Sequence, residues 1–353
     1  MPHVIQSSQI PRKLNSLRDL PDNPVIIIQG DVREVLPKLP DDSFHCVMSG
    51  PPYFNQRDYG YDEQMGREKS LALYVEELVG LYRHVRETLH RTGGVWTNIG
   101  DGFTCDHPQQ RLTGIGKDGG NWGAHSKIAG SRARDSTGPQ EGRKAKDLIL
   151  APAAFAAGLR DDDWWLRDGV VWDKVSTSPQ HVTDRGPHKH EDIFRHVKSE
   201  RGAYYDLLAV EPEFRTDVWR IAPQRYRGDH SAVFPVKLAE TCYRLGSSER
   251  GCCPSCRYPW KRQRVTNGST HYEWQPSCRC PTHTPVPCTV LDLFSGTGSA
   301  SQAAIDLGRR VIAIEFKSDY VRQAVERLRA ALAREEAWAC RLTIEDYAAR
   351  VSS

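Results

Sequence analysis

The stretch Val290-Leu-Asp-Leu-Phe-Ser-Gly-Thr-Gly-Ser-Ala300 constrains this chain more than any other. Its apolar run, Val290 to Leu293, predicts a buried strand. Gly296 and Gly298 predict a tight turn, and the small residues from Ser299 to Leu307 predict a helix. A strand, a glycine turn and a helix N-terminus form a nucleotide pocket, because glycine lets the backbone approach the ligand and orphan N–H groups face it. Nineteen residues beyond Gly296, a second apolar run (Val311 to Ile314) ends in Glu315, an acid suited to accepting hydrogen bonds from ribose hydroxyls. Ser301 stands where the dinucleotide fingerprint has its third glycine. That argues against a nicotinamide dinucleotide and for a ligand with a nucleoside but no pyrophosphate. An ordinary βαβ crossover is the competing reading of the glycines alone.

At 353 residues the chain can form one large domain or two smaller ones. Apolar content of 39% and charged content of 26% predict a soluble globular protein. No apolar run approaches the ~20 residues needed to span a bilayer, and Met1 to Asn15 lacks a signal-peptide core, so no membrane partner is expected. A net charge of +3 does not by itself identify a nucleic-acid partner. Four of the ten cysteines fall into a metal-like pattern, which predicts a reducing, cytoplasmic setting rather than a disulfide framework.

Along the chain, Met1 to Asn23 is polar and proline-containing and is expected to be a loosely packed arm. Strands are predicted at Val25–Gln29, Phe44–Met48 and Val95–Ile99. A helix is predicted from a Ser70 N-cap to His90, with Gly93-Gly94 ending it. Residues 105–146 are rich in glycine and serine and carry eight basic against four acidic residues. Little there could build a core, and a mobile basic insertion, a solvated linker or a segment that orders on phosphates, is expected. Two further strands, Trp164–Asp173 and Glu191–Val197, flank a polar loop at 174–190, and Phe234-Pro235 opens a helix running to Leu245.

The second informative stretch is Ser49-Gly-Pro-Pro-Tyr53, directly after a predicted strand. Prolines lack an N–H, so the turn presents carbonyl oxygens, and Tyr53 adds an aromatic face. Acceptors beside a ring suit a planar ligand bearing an exocyclic amine. This motif, followed later in the chain by Asp292-Leu-Phe-Ser-Gly-Thr-Gly298, resembles the DNA amino-methyltransferases that make N4-methylcytosine or N6-methyladenine. The order is similar to their permuted β group, in which the catalytic half precedes the cofactor half. Gln29-Gly-Asp31, Arg57-Asp-Tyr59, Val171-Trp-Asp-Lys174, His190-Glu-Asp-Ile-Phe194 and Leu307 to Glu315 extend the resemblance.

The resemblance implies S-adenosylmethionine as methyl donor and double-stranded DNA as substrate, with the target base flipped from the helix. It implies catalytic roles for Ser49, Gly50, Pro51, Pro52 and Tyr53. It further implies that Asp292 faces the methionine end, that Phe294, Ser295, Gly296, Thr297 and Gly298 pass under the cofactor, and that Glu315 and Phe316 flank the ribose. Asp31 would sit near the adenine amine, and Phe234-Pro235 would close the pocket. The family has Ser or Asp before Pro-Pro-Tyr, where this chain has Gly50, so either Ser49 or main-chain carbonyls must accept from the target amine. The missing Asp favours cytosine N4 over adenine N6, the alternative. A non-catalytic DNA-binding protein that keeps the fold is the reading from another class. A covalent cytosine-C5 mechanism lacks its nucleophile, since Pro287-Cys288 precedes the cofactor strand. A homodimer and a cognate restriction endonuclease are compatible partners that the sequence does not select.

Cys253-Pro-Ser-Cys256 and Cys278-Arg-Cys280, twenty-two residues apart, suit a closed four-cysteine zinc site that folds residues 251–283 as a structural ribbon. Cys252 and His283 are the alternative ligands. The aromatics and cations of the ribbon suit either a DNA contact or a brace for the cofactor half. The expected fold is α/β: one S-adenosylmethionine-dependent, Rossmann-like methyltransferase domain at 24–335 around a seven-stranded, mostly parallel sheet, decorated by the insertion and the ribbon. The arm at 1–23 and a tail at 336–353 lie outside it.

Overall fold

Runs of apolar and β-branched residues without alternation are what a sheet covered on both faces requires, and the central strands of this chain are of that kind. The computed structural model describes residues 1–56, 59, 64–104, 136–137, 144–176, 183–224, 235–267, 269–281 and 284–351. In chain order the strands are β1 (His3–Gln6), β2 (Val25–Gln29), β3 (Phe44–Ser49), β4 (Leu89–Ile99), β5 (Phe103–Thr104), β6 (Ser136–Thr137), β7 (Trp165–Asp173), β8 (His190–Val197), β9 (Val218–Arg220), β10 (Trp260–Asn267), β11 (Ser269–Pro276), β12 (Thr289–Asp292) and β13 (Arg310–Glu315). The helices are α1 (Val32–Val35), α2 (Leu71–Thr88), α3 (Ala151–Asp161), α4 (Val236–Gly246), α5 (Ser299–Asp306) and α6 (Ser318–Val351).

The main sheet runs β1-β2-β13-β12-β3-β4-β8-β7-β9. Every neighbouring pair is parallel except β4 with β8 and β8 with β7. One face packs on α2 and α3 through Tyr74, Leu78, Tyr82 and Phe155. The other packs on α4, α5 and α6 through Leu238, Tyr243, Ala303 and Leu328. The sheet has nine strands rather than the expected seven. The two extra strands are its edges, which need pair on one side only and so carry little periodic signal. One of them, β1, lies within the segment expected to be a loose arm. It pairs with β2, and Ile10, Leu17 and Leu20 behind it are buried in the core.

Two boundaries also move. Helix α2 starts at its Ser70 cap but ends at Thr88, and Gly93-Gly94 lie inside β4. A Cβ on Gly93 would meet the Phe44 carbonyl at 2.8 Å, so close strand approach, not helix termination, accounts for that glycine. Helix α6 is continuous across the expected boundary near residue 335. Most of the 105–146 insertion and residues 177–182 of the 174–190 loop lie outside the described residues. No described helix is long and apolar enough to cross a membrane.

The docked arm carries a measurable consequence. Leu17→Ala should destabilise the protein by about 2–5 kcal/mol in urea unfolding, the cost of emptying a core leucine site. A change within about 0.5 kcal/mol, as for a surface substitution, would show the arm to be loosely held.

Candidate active site

Because β2, β13, β12, β3 and β4 are parallel neighbours, their carboxyl ends form one edge. Asp292 lies opposite Met48 and Glu315 opposite Gln29 in the register. The Leu293 N–H donates to the Met48 carbonyl at 3.1 Å, and Gly30 N–H to the Glu315 carbonyl at 3.0 Å. The glycine turn, the Pro-Pro-Tyr turn and Asp31 therefore leave from adjacent strand ends, the place where open α/β sheets bind ligands.

The glycine turn has the backbone its residues predict. Gly296 and Gly298 have φ of 54° and 83°, and Gly298 caps α5. Ser295 N–H bonds the Ile314 carbonyl at 3.0 Å, which ties the turn to β13. Asp292 is buried and accepts from both the Ser301 N–H (3.1 Å) and its hydroxyl (2.8 Å). Burial pushes its carboxyl up to about 6, against the pull of those hydrogen bonds. Ser301, in the place of a third glycine, thus orients the acid. Glu315 is likewise buried. Burial pushes it up to about 7, while its oxygens accept from Gly296 N–H and Lys317 N–H, each at 2.7 Å.

The Thr297 hydroxyl is buried without a partner among the described residues. Ser295 is buried, Phe294 half-buried against the core and Phe316 about half exposed. These features, two buried carboxylates, an unmatched hydroxyl and a left-handed glycine turn, fit a bound nucleoside-type cofactor. Asp31 caps α1 and is engaged by Arg33 at 2.6 Å. Burial works against its charge, but those hydrogen bonds outweigh it and hold the carboxyl below its ordinary value. Pro235 is buried at the start of α4, and Phe234 lies outside the described residues.

In the second turn Pro51 is buried, while Gly50, Pro52 and Tyr53 are half-buried. The Pro52 carbonyl accepts from the Tyr74 hydroxyl at 3.0 Å and the Tyr53 carbonyl from Gln56 N–H at 3.2 Å. The carbonyls of Gly50 and Pro51 accept no hydrogen bond among the described residues. Ser49 is fully buried, on the face of β3 that packs against Tyr82. The Tyr53 hydroxyl donates to Glu191 at 2.7 Å, and its ring lies so close to Gly100 that a Cβ there would be 2.7 Å from the ring. Glu191 also accepts from Asn98 at 2.9 Å and pairs with Lys174. The motif reading gave Glu191 and Asn98 no individual role. Asn98 had one faint signal, an amide inside the apolar run Val95–Ile99.

The thiol sulfurs of Cys253, Cys256, Cys278 and Cys280 lie within 4.8 Å of one another, across the base of the β10–β11 hairpin. Cys252 turns away toward Cys288, and His283 lies outside the described residues. Arg257, inside the knuckle, donates to the Ser43 carbonyl (3.1 Å) and the Thr289 hydroxyl (2.9 Å). Its own carbonyl is 2.7 Å from His45 Nε2. These partners sit at the amino ends of β3 and β12, the opposite edge from the candidate active site.

Fold and site together define an α/β protein with a left-handed glycine turn and a Pro-Pro-Tyr turn on one sheet edge. Comparison with known proteins narrows the class: the DNA methylase family N6_N4_Mtase matches residues 44–254. The chain is 33% identical to Type II methyltransferase M.SmaI of Serratia marcescens over 312 residues, 86% of this chain and 90% of that protein. It is 32% identical to Type II methyltransferase M.Cfr9I of Citrobacter freundii over 339 residues, 93% and 96% of the two chains. Among solved structures, PvuII DNA methyltransferase (cytosine-N4-specific) shares the fold with a TM-score of 0.55 at 17% identity, over 85% of each chain. TTHA0409 of Thermus thermophilus, complexed with S-adenosyl-L-methionine, does so with a TM-score of 0.52 at 20% identity, over 88% of this chain and 95% of that one. The chain belongs to the DNA methylase family.

The raised carboxyl of Glu315 makes stability depend on pH. The ligand-free fold keeps its proton from the ordinary value of 4.5 up to about 7, where the unfolded chain has released it. Stability therefore falls as pH rises through that window and levels off above it. Glu315→Gln should reduce the difference in stability between pH 5 and pH 8 by on the order of 1–3 kcal/mol. An unchanged pH slope in thermal melts would count against a protonated, buried Glu315.

Proposed function

We propose that the protein methylates the exocyclic amine of a base in double-stranded DNA, with cytosine N4 as the target, using S-adenosylmethionine. The observation that carries this reading is the β3–β12 pairing, which sets the Pro-Pro-Tyr turn beside the glycine turn. Gly296 and Gly298 would let the cofactor lie on the backbone, with Asp292 toward its methionine ammonium and Glu315 toward its ribose. S-Adenosylmethionine supplies an electrophilic methyl: the nitrogen–methyl bond forms as the sulfur–methyl bond breaks, the sulfonium becomes a neutral thioether, and one amine proton leaves to water.

The chain's own residues handle the nucleophile. An amine conjugated to a base ring is a weak nucleophile, and hydrogen bonds accepted from it return electron density to nitrogen while fixing its direction. The main-chain oxygens of Gly50 and Pro51 supply such acceptors, since Ser49 points into the core against Tyr82. Tyr53, held by Glu191 and backed by Gly100, offers its ring to a base that has left the helix. The absence of a carboxylate at position 50 supports cytosine N4 over adenine N6.

The four cysteines would hold a structural zinc, for which the converging thiols are the support. The place of the knuckle, on the edge away from the site, supports a brace rather than a DNA contact.

Nucleoside mass spectrometry of duplex DNA treated with protein and cofactor should show N4-methylcytosine, and Tyr53→Ala should remove it while cofactor affinity is kept. N6-methyladenine as sole product would overturn the base assignment. For the knuckle, elemental analysis should find about one zinc per chain, lost together with thermal stability in Cys253→Ser. Zinc-free protein of full stability would reject the metal.

A further inference from the structure

Asn98 is a fully buried amide in an otherwise apolar strand end. Its Nδ2 donates to Glu191 Oε2 at 2.9 Å and lies 3.4 Å from the Asp192 carbonyl. Both partners are acceptors, so the amide can be oriented only this way round. Its Oδ1 is then left buried, without a partner among the described residues. Leaving a buried carbonyl unmatched is unfavourable. No donor among the described residues reaches it, which leaves the acceptor available to a donor that a bound ligand brings.

The register says which donor it can meet. Met48 pairs with Trp96 and Ser49 with Thr97, so Asn98 is level with Gly50. Side chains alternate along a strand, and Met48 and Trp96 both belong to the layer that packs on α4 and α5. Asn98 and position 50 therefore share that face, while Ser49 points to the other. Gly50 places no side chain between the amide and the Pro-Pro-Tyr turn. An exocyclic amine carries two hydrogens, and the main-chain carbonyls at 50 and 51 can take one. We propose that Asn98 Oδ1 accepts the other and is a catalytic residue of the transfer, with Glu191 as the positioning residue that fixes both its amide and the Tyr53 ring. The inference rests on the amine-methylation reading above. Asn98 holds the amine through a hydrogen bond and takes no proton, since an amide is too weak a base to keep one.

The test uses the full-length protein and duplex DNA. Single-turnover methyl transfer is followed across pH, with dissociation constants for cofactor and DNA and the melting temperature measured alongside. Asn98→Leu removes the acceptor and should slow transfer about a hundred- to a thousandfold, with both dissociation constants within about threefold of the parent. Asn98→Asp keeps an oxygen of the same shape but loses the donor to Glu191. It should retain at least about a tenth of the rate and gain a rise with pH as the new carboxyl ionises. A purely structural amide predicts the reverse, because a second carboxyl beside Glu191 disrupts more than leucine does. Parental transfer by Asn98→Leu, or an Asn98→Asp protein as slow as Tyr53→Ala, overturns the proposal. If Asn98→Leu does not fold, Asn98→Asp decides alone by its rate and pH profile. Failure of that isosteric variant to fold also overturns it, since the donors rather than the oxygen would then be what position 98 supplies. A parent protein that methylates no exocyclic amine overturns the reading of function instead, before any variant is made.

Discussion

The parallel pairing of β12 with β3 is the contact on which the rest depends. It joins residues about 240 positions apart in the chain, Asp292 opposite Met48, and nothing local to either segment specifies it. The pairing is held by buried side chains on both faces, Val290 and Cys46 on one and Leu291 and Val47 on the other. Its last hydrogen bond, from Leu293 to Met48, fixes where both loops leave the sheet. A slip of one residue would send Asp292 to the opposite face, away from Ser301 and the helix α5 layer. The glycine turn and the Pro-Pro-Tyr turn leave from adjacent strand ends because that register is set by core packing.

Two carboxylates buried at one sheet edge are costly unless matched, and the chain matches them in different ways. Asp292 is held by Ser301, the residue that replaces a third glycine. In a dinucleotide site that position is small so that helix and strand can close up. Here a hydroxyl fits and aims the acid. Glu315 accepts two main-chain N–H groups and still favours its proton. Both acids therefore enter ligand binding partly protonated near neutral pH, and a cationic ammonium or donated hydroxyls would draw them into the ionised form. Ligand binding and proton release are linked at this edge.

Much of the frame was legible in the sequence, because the strongest signals were local. The runs Val25–Ile28, Phe44–Met48 and Val311–Ile314 could only be buried strands, and Gly296-Thr-Gly298 could only be a turn with left-handed residues. What escaped was non-local. The edge strand β1 is short and half polar, and only its pairing with β2 makes it a strand, while the extended piece at Thr216–Ile221 gives no sign that it joins the sheet as β9. Gly93-Gly94 looked like a helix stop because the same residue serves chain reversal and close strand approach. The candidate site was half legible: the motifs gave Tyr53, Asp292 and Glu315, but not what holds them. Glu191 reaches Tyr53 from β8 and is met by Asn98 from β4, across a junction that no spacing in the chain encodes.

The two edges of the sheet divide the labour. The carboxyl edge carries unmatched polar groups, the hydroxyls of Ser49 and Thr297 and the Asn98 carbonyl, beside a left-handed glycine turn. The amino edge is tied together by side chains on main chain, although the Arg257 Nε has no partner among the described residues. There Arg257 bridges β3 and β12 through Ser43 and Thr289, and His45 bonds main chain on both ring nitrogens. Burial pulls the His45 ring down to about 3, so it stays neutral while it bonds that main chain. Through Arg257, the four-cysteine knuckle meets the same two strands whose other ends lead into the Pro-Pro-Tyr turn and the glycine turn. A metal held by the four thiols would stiffen the β3–β12 pairing from the end away from both turns.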